Sequence, residues 1–428
     1  LIGAKNSAYF REFTSRDADL QWVVMENTQT SFPKGFLWGT ATAAHQVEGN
    51  NTNNDWWEWE HRVDTPCKEP SGDCCDQYHL YPNDIKLIAD LGLQAYRFSI
   101  EWSRVEPAEG EFSLAALQHY KRVIASCWEN GVQPIVTLHH FTTPLWVAAQ
   151  GGWENPRTAD LFARYSAKVA QFMGSDVARW CTINEPNMVS TIGYLIGQFP
   201  PGKRSKSSRD TVNAVFCDAH IKSRDAVKSI SSAPIGLTLA MAEFQVDEQS
   251  ENPDEIAMAY AKRQSGFDGL ETCFLEAAIG DDFFGVQTYT RERFNAQGRM
   301  KPDPDSRLTI MGYEYYPQAL EATIRRAYTE TRGVPIMVTE NGIAVVNDQE
   351  RVEYVSEALR CVLRCIADGI PVEGYMYWSL LDNFEWAYGY GPTFGLVGVN
   401  RETQERHIKP SARWLGNVAR ANALLPLA

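Results

Sequence analysis

Two glutamates follow strand-like runs directly and could act as a pair. The segment CTINEPN contains Glu185 and the segment IMVTENG contains Glu340. Each glutamate lies where Pro or Asn-Gly interrupts the strand, so its side chain can project from a strand end. An acid that protonates a leaving oxygen and a carboxylate that meets an oxocarbenium-like carbon are what glycosidic cleavage requires. Any one of the 54 acidic residues is most often a solvated surface charge, so the pair matters only if the fold unites it.

The elements that would unite the two glutamates are eight short apolar or β-branched runs, which alternate with amphipathic stretches from Phe32 onward. Alternation of this kind predicts repeated βα units around a parallel sheet. The predicted strands are Phe36–Thr40, Ala95–Ser99, Ile135–Thr137, Trp180–Asn184, Ile235–Leu239, Phe284–Gln287, Ile336–Thr339 and Tyr375–Trp378.

The stretches between these runs show helical periodicity, with apolar residues three and four positions apart. Two sets show it clearly: Leu161, Phe162, Tyr165, Val169, Phe172 and Met173, and Val352, Val355, Leu359, Val362, Leu363 and Ile366. Eight strand–helix units without a GxGxxG after the first strand favour a closed barrel over a dinucleotide-binding sheet. The sequence predicts one α/β domain over residues 32–428, a single (β/α)8 TIM barrel with long βα loops, preceded by an N-terminal extension over residues 1–31.

Polar side chains follow most of the predicted strands, where a parallel barrel carries its reactive groups. They are Gln46, Arg97, His140, Asn184 with Glu185, Tyr289, Glu340 with Asn341, and Trp378. An isolated His140 or Trp378 would more often be a packed core residue. Their occurrence together at consecutive strand ends favours a shared pocket.

Composition excludes several classes of partner. The net charge of −14 argues against nucleic acid and anionic membranes, whose binding needs clustered Lys and Arg. Nine scattered cysteines predict reduced thiols rather than a disulfide framework. No apolar run approaches a membrane span and no signal-peptide layout begins the sequence, so we expect a soluble, cytoplasmic protein. No metal site is predicted, because neither HExxH nor paired CxxC occurs and His139 and His140 would face opposite sides of a strand.

The segments TINEP, VTENG and FPKGFLWGTATAAHQVEG resemble the signatures of glycoside hydrolase family 1. Further matching segments are YRFSIEWSR (96–104), PIVTLHHF (134–141), GGW (151–153), FPPGK (199–203), GYMYWSLLDNFEW (374–386) and RHIKPSARW (406–414). The resemblance is collinear from Phe32 to about Leu425.

The resemblance implies a retaining β-glucosidase without a cofactor, in which Glu185 is the acid/base and Glu340 the nucleophile. The mechanism would pass through a covalent glycosyl-enzyme. Glu185 would then need a raised pKa, and we expect a low pKa for Glu340 because Arg97 would lie beside it. The residues that resemble the family's sugar-binding positions are Gln46, His140, Asn184, Trp378, Glu385 and Trp386, with Tyr289 as a hydrogen-bond donor to the nucleophile.

Four residues depart from the family pattern. Gln287 and Thr288 in GVQTYT stand where an Asn and a Tyr are common, so support around the nucleophile is expected to differ. Phe141 in FTTP and Tyr313 in MGYE stand where Trp is usual. These two changes reduce aromatic bulk near the pocket and bear on the leaving group that it accepts.

The leading hypothesis is hydrolysis of terminal β-glucosyl residues, with galactosides and fucosides tolerated, in a small-molecule β-glycoside or oligosaccharide. A 6-phospho-β-glycosidase is the nearest alternative, although Glu385 disfavours it. A non-catalytic sugar-binding protein of the same fold is the second alternative, although both glutamates are present. Transglycosylation and a homo-oligomeric state stay open.

Overall fold

The computed structural model describes residues 30–427. Eight parallel strands close into a barrel in which each strand pairs with the next in sequence and the last pairs with the first. The barrel strands are β1 (Leu37–Ala41), β2 (Ala95–Ser99), β3 (Gln133–His140), β4 (Arg179–Asn184), β5 (Ile235–Ala240), β6 (Phe284–Gln287), β7 (Ile336–Asn341) and β8 (Val372–Trp378). The predicted (β/α)8 barrel is confirmed.

All eight predicted strands are barrel strands, and the differences lie at their ends. Strand β3 runs from Gln133 to His140, well beyond the predicted Ile135–Thr137. Strand β7 continues through Glu340 to Asn341. Polar residues such as these are buried where they line the barrel, so hydrophobicity alone ends a strand too early.

Helices surround the barrel and fill its loops. The α-helices are Ala44–Val47, Asp55–Glu60, Gln77–Leu91, Trp102–Val105, Leu114–Glu129, Leu145–Ala149, Arg157–Met173, Pro186–Ser190, Lys206–Lys228, Pro253–Phe267, Cys273–Ala277, Ala319–Glu330, Asp348–Ala367 and Pro410–Ala421. Short 3-10 turns occupy Gly152–Glu154, Gly174–Asp176 and Trp386–Tyr388, and π-helical turns occupy Thr191–Ile196 and Asp268–Thr272.

The helix Asp348–Ala367 illustrates how sequence determines these elements. The Asn347 side chain accepts a hydrogen bond from the backbone N–H of Gln349 and caps the first turn. Its apolar residues face the barrel: Val352, Val355, Leu359, Val362 and Leu363 are buried and Ile366 is half-buried. The amphipathic period predicted from the sequence is therefore confirmed in this helix.

Two small sheets outside the barrel were not predicted. One contains Glu243–Val246, Arg291–Asn295 and Gly298–Arg299, and the other pairs Val397–Val399 with Arg406–Ile408. The predicted extension, residues 1–31, lies almost entirely outside the described residues. At its end, Ser31 forms an antiparallel bridge with Ala423. The division into an extension and one barrel domain stays a prediction.

The amino-terminal half of the barrel interior is filled by apolar side chains. One buried cluster contains Leu37, Ala95, Ile135, Cys181, Phe283, Met337 and Met376. A packed lower layer leaves the carboxyl ends of the strands as the place for a pocket. None of the helices described for residues 30–427 is long and apolar enough to cross a membrane.

Candidate active site

Strand register brings the predicted polar residues to one end of the barrel. His140 at the end of β3 lies opposite Asn184 at the end of β4. Glu340 in β7 lies opposite Gln287, the last residue of β6. Residues far apart in sequence therefore line one pocket.

Glu340 is held by two hydrogen-bond donors. Arg97 Nη1, from β2, lies 2.6 Å from Glu340 Oε1. The Tyr289 hydroxyl, two residues beyond β6, donates to Glu340 Oε2 at 2.7 Å. Both carboxylate oxygens are thus engaged, and the side chain is fixed in one orientation. The predicted contacts of Arg97 and Tyr289 with Glu340 are both present.

Glu185 is buried without any such support. It is 8% exposed, and no side chain within residues 30–427 hydrogen-bonds to its carboxyl group. Its backbone adopts a left-handed conformation with φ of 45°, and Pro186 begins the next helix immediately. This sharp turn between β4 and the helix projects the side chain into the pocket, as the strand-breaking sequence predicts.

Burial dominates the acidity of both carboxyls. It raises the pKa of Glu185 well above its ordinary value, and the charge of Glu340 raises that pKa further. Burial also raises the pKa of Glu340, although Arg97 and the Tyr289 hydroxyl oppose the rise. The expected low pKa of Glu340 is therefore wrong, because desolvation outweighs the two donors. The raised pKa expected for Glu185 is present.

Asn184 connects the Glu340 side of the pocket to His140. Arg97 Nη2 donates to Asn184 Oδ1 at 2.6 Å, and Gln287 Nε2 donates to the same oxygen at 2.8 Å. Asn184 Nδ2 lies 3.1 Å from His140 Nε2. Burial holds the pKa of His140 well below its ordinary value. The ring is therefore neutral, with Nε2 as the acceptor from Asn184 and Nδ1 carrying the proton.

The opposite wall is built from the segment after β8. Gln46 Nε2 donates to the Phe384 carbonyl at 2.7 Å and lies 3.5 Å from Glu385 Oε2. Trp378 Nε1 lies 3.4 Å from Glu385 Oε1. Burial raises the pKa of Glu385 to about 8, despite the hydrogen bond from Trp378. Gln46, Trp378 and Glu385 thus form one polar network on this wall of the pocket.

Aromatic rings complete the pocket. Trp386 lies 4.5 Å from Trp56 and 4.9 Å from Phe141 between ring centroids. His140 stacks on Trp378 with centroids 5.7 Å apart. Phe141 and Trp386 also have left-handed backbones, with φ of 72° and 53°. Phe141, directly after β3, is thus in contact with Trp386.

Two contributors were not predicted from sequence. Thr238 Oγ1, in β5, lies 3.2 Å from Arg97 Nη2. His45 stacks on Trp386 with an interplanar angle of 3° and lies between Asn54 and Glu60, at 3.1 Å and 3.4 Å. Position beside Gln46 was the only available signal for His45. Among residues 30–427, no three His, Cys, Asp or Glu side chains are grouped to hold a metal ion.

Fold and site together define a class. A closed parallel barrel presents two buried glutamates at its carboxyl end, one held by an arginine and a tyrosine and the other without donors. Amides, a neutral imidazole and indoles surround them. This combination is typical of glycosidases built on a (β/α)8 barrel.

Comparison with known proteins identifies the family. The model of glycosyl hydrolase family 1 matches residues 28–279 and 285–424. β-Glucosidase A of Thermotoga maritima is 31% identical, over 92% of this chain and 98% of that protein. A bifunctional β-D-glucosidase/β-D-fucosidase of Bifidobacterium breve is 32% identical, over 90% and 97%. A β-glycosidase crystal structure has a TM-score of 0.85 at 44% identity, covering 93% of this chain and 99% of that one. The chain belongs to glycosyl hydrolase family 1.

Proposed function

We propose that the protein hydrolyses terminal non-reducing β-D-glucosyl residues with retention of anomeric configuration. Glu340 is the nucleophile and Glu185 is the acid/base. The observation that carries this assignment is the asymmetry of the pair: Arg97 and Tyr289 donate to Glu340, while Glu185 is buried and has a pKa raised well above its ordinary value. A proton donor and a fixed anion are thus both supplied.

The reaction proceeds in two displacements. Glu340 Oε attacks the anomeric carbon while Glu185 gives its proton to the departing oxygen, so the glycosidic bond breaks as the ester bond forms. The leaving group departs as an alcohol. Glu185, now ionised, takes a proton from water, and the hydroxide equivalent displaces Glu340 to release the sugar. Two inversions at the anomeric carbon give net retention.

The polar wall supports tolerance at the sugar's fourth carbon. Gln46 and Glu385 lie 3.5 Å apart, so one pair of side chains can meet a hydroxyl of either configuration. The raised pKa of Glu385, about 8, keeps it largely protonated at neutral pH, able both to donate and to accept. We therefore include β-galactosides and β-fucosides among the substrates. The bifunctional relative from Bifidobacterium breve supports this range.

Trapping with a 2-deoxy-2-fluoro-β-glucoside tests the assignment. The fluorine slows both steps, and a good leaving group lets the ester accumulate. We expect one label per chain, on the peptide that contains Glu340. A label on Glu185 or on no residue would contradict the proposal, as would an inverted product anomer in proton NMR.

Two alternatives give different results with simple substrates. A 6-phospho-β-glycosidase would prefer 4-nitrophenyl β-glucoside 6-phosphate to the unphosphorylated glucoside, whereas the buried carboxyl of Glu385 in the sugar wall supports the opposite order. A non-catalytic sugar-binding protein would bind glucosides without turnover.

We place the protein in the cytoplasm, which its nine free thiols support. If the protein forms a homo-oligomer, light scattering would give a mass that is a multiple of the 48.2 kDa of one chain.

A further inference from the structure

Gln287 reaches across the barrel wall to a residue two strands away. It is fully buried at the end of β6, in register with Ala240 of β5 and Glu340 of β7. Its Nε2 nevertheless donates to Asn184 Oδ1 in β4 at 2.8 Å. Its Oε1 is buried without a hydrogen-bond partner among residues 30–427. The bond to Asn184 is therefore the one hydrogen bond that its amide makes there.

The Asn184 amide has two rotational orientations that differ in which atom faces the pocket. Arg97 and Gln287 are both donors, so together they require the carbonyl oxygen on their side. One hydrogen of Asn184 Nδ2 is then directed to His140 Nε2, 3.1 Å away, and the amide nitrogen keeps a second hydrogen that it can donate to a ligand. Arg97 alone would select the same orientation. Gln287 adds a second short donor from another strand, and the Thr238 hydroxyl of β5 lies 3.3 Å from the same oxygen.

The position of Asn184 indicates which substrate hydroxyl it serves. Arg97 binds Glu340 Oε1 with one terminal nitrogen and Asn184 Oδ1 with the other, both at 2.6 Å. Asn184 therefore lies on the nucleophile's side of the pocket. In a sugar whose anomeric carbon faced Glu340, the hydroxyl on the neighbouring ring carbon would be the one closest to this side of the pocket, where it could meet the Asn184 N–H group. Hydrogen bonds to this 2-hydroxyl strengthen in the transition state.

We propose that Gln287 is a positioning residue that orients the Asn184 amide toward the 2-hydroxyl of the bound sugar. This inference rests on the proposed function. Gln287 acts through Asn184 and contributes to the rate only for sugars that carry the 2-hydroxyl. An Asn at this position would be one methylene shorter, so at the same backbone position its amide would lie farther from Asn184 Oδ1 than the 2.8 Å of Gln287.

Kinetics with paired substrates test the proposal. We would measure kcat/KM for 4-nitrophenyl β-D-glucoside and its 2-deoxy counterpart in the parent, Gln287→Met and Gln287→Asn. Gln287→Met keeps the length and removes the donor, while Gln287→Asn keeps the amide and shortens it. The matched control is Gln245→Met, the same exchange in the small sheet outside the barrel.

In both Gln287 variants we expect kcat/KM for the glucoside to fall by roughly three- to tenfold, the effect of one hydrogen bond. The value for the 2-deoxyglucoside should stay within about twofold, so the ratio of the two substrates falls. Gln245→Met should keep the parent ratio. An equal loss with both substrates would overturn the positioning role.

A binding measurement separates this proposal from the proposed function. Calorimetry would compare a gluco-configured imidazole inhibitor with its 2-deoxy analogue in the parent and in Gln287→Met. If the parent hydrolyses neither substrate, the proposed function fails, and the change in affinity ratio alone decides the role of Gln287. An unchanged affinity ratio would overturn it.

Discussion

The two sides of the pocket surround a buried glutamate with different hydrogen-bond partners. At the end of β7, Glu340 receives hydrogen bonds from Arg97 and Tyr289. After β4, Glu185 receives none from the side chains of residues 30–427. Both carboxyls are desolvated, but Arg97 and the Tyr289 hydroxyl lower the pKa of Glu340, whereas the charges of Glu340 and Glu385 raise that of Glu185 further. Burial raises the pKa of both carboxyls, and their neighbouring groups make the two environments different.

The most severe way to break this contrast is Glu340→Gln. The side chain keeps its size but cannot form the glycosyl-enzyme, so we expect kcat/KM to fall by at least about 10⁴-fold. The variant should also lower the pKa of Glu185, because the charge of Glu340 helps to raise it. NMR titration of carbon-labelled glutamate measures that pKa. An unchanged Glu185 pKa would contradict the coupling.

The next effect comes from the other side, with Glu185→Ala. Loss of the proton donor should lower kcat/KM by about 10² to 10⁴-fold for poor leaving groups. Activated aryl glucosides need little protonation, so their first step should be affected much less. The basic limb of the pH–rate profile should disappear, because Glu185 deprotonation no longer matters. Equal losses for all leaving groups would show that Glu185 is not the acid.

Arg97→Met would make the two environments more alike. Arg97 lowers the pKa of Glu340, so its removal should move the acidic limb of kcat/KM to higher pH by about one unit or more. Activity at neutral pH falls because less Glu340 is ionised. Tyr289→Phe should shift the same limb in the same direction by less. Stability measured in parallel identifies unfolding, and an unmoved limb in folded protein would refute the prediction.

The last expected effect concerns stability rather than rate, and it involves Glu385, a third buried carboxyl of the pocket. Its pKa is about 8 in the folded protein, against 4.5 without the fold. Between these values only the folded state keeps the proton, so the free energy of unfolding falls as pH rises, by at most about 1.4 kcal/mol per unit. Below pH 4.5 the contribution is fully present. In urea unfolding at several pH values, Glu385→Gln should show a shallower fall than the parent. Parallel curves would contradict it.

The positions of the motifs along the chain predicted which residues meet at the end of the barrel, but they did not predict the pKa of Glu340. Glu185 and Glu340 follow strands, and a parallel barrel necessarily brings strand ends together. The pKa of Glu340 was mispredicted because burial depth is not encoded in the segment VTENG. Contacts such as Gln287 to Asn184 depend on side chains crossing an intervening strand, which local sequence does not specify. The ends of β3 were missed for a related reason, since buried polar residues resemble loops.

Three residues of the pocket, Phe141, Glu185 and Trp386, have a left-handed backbone conformation. Residues other than glycine and asparagine rarely adopt this conformation. Each costs roughly 1–2 kcal/mol relative to ordinary conformations. β-Branched residues tolerate this geometry least. A mutant library that aims to redesign substrate preference should therefore omit Val, Ile and Thr at positions 141 and 386. The residue types that can be placed at these two positions are limited first by the backbone conformation and only then by contacts with the ligand.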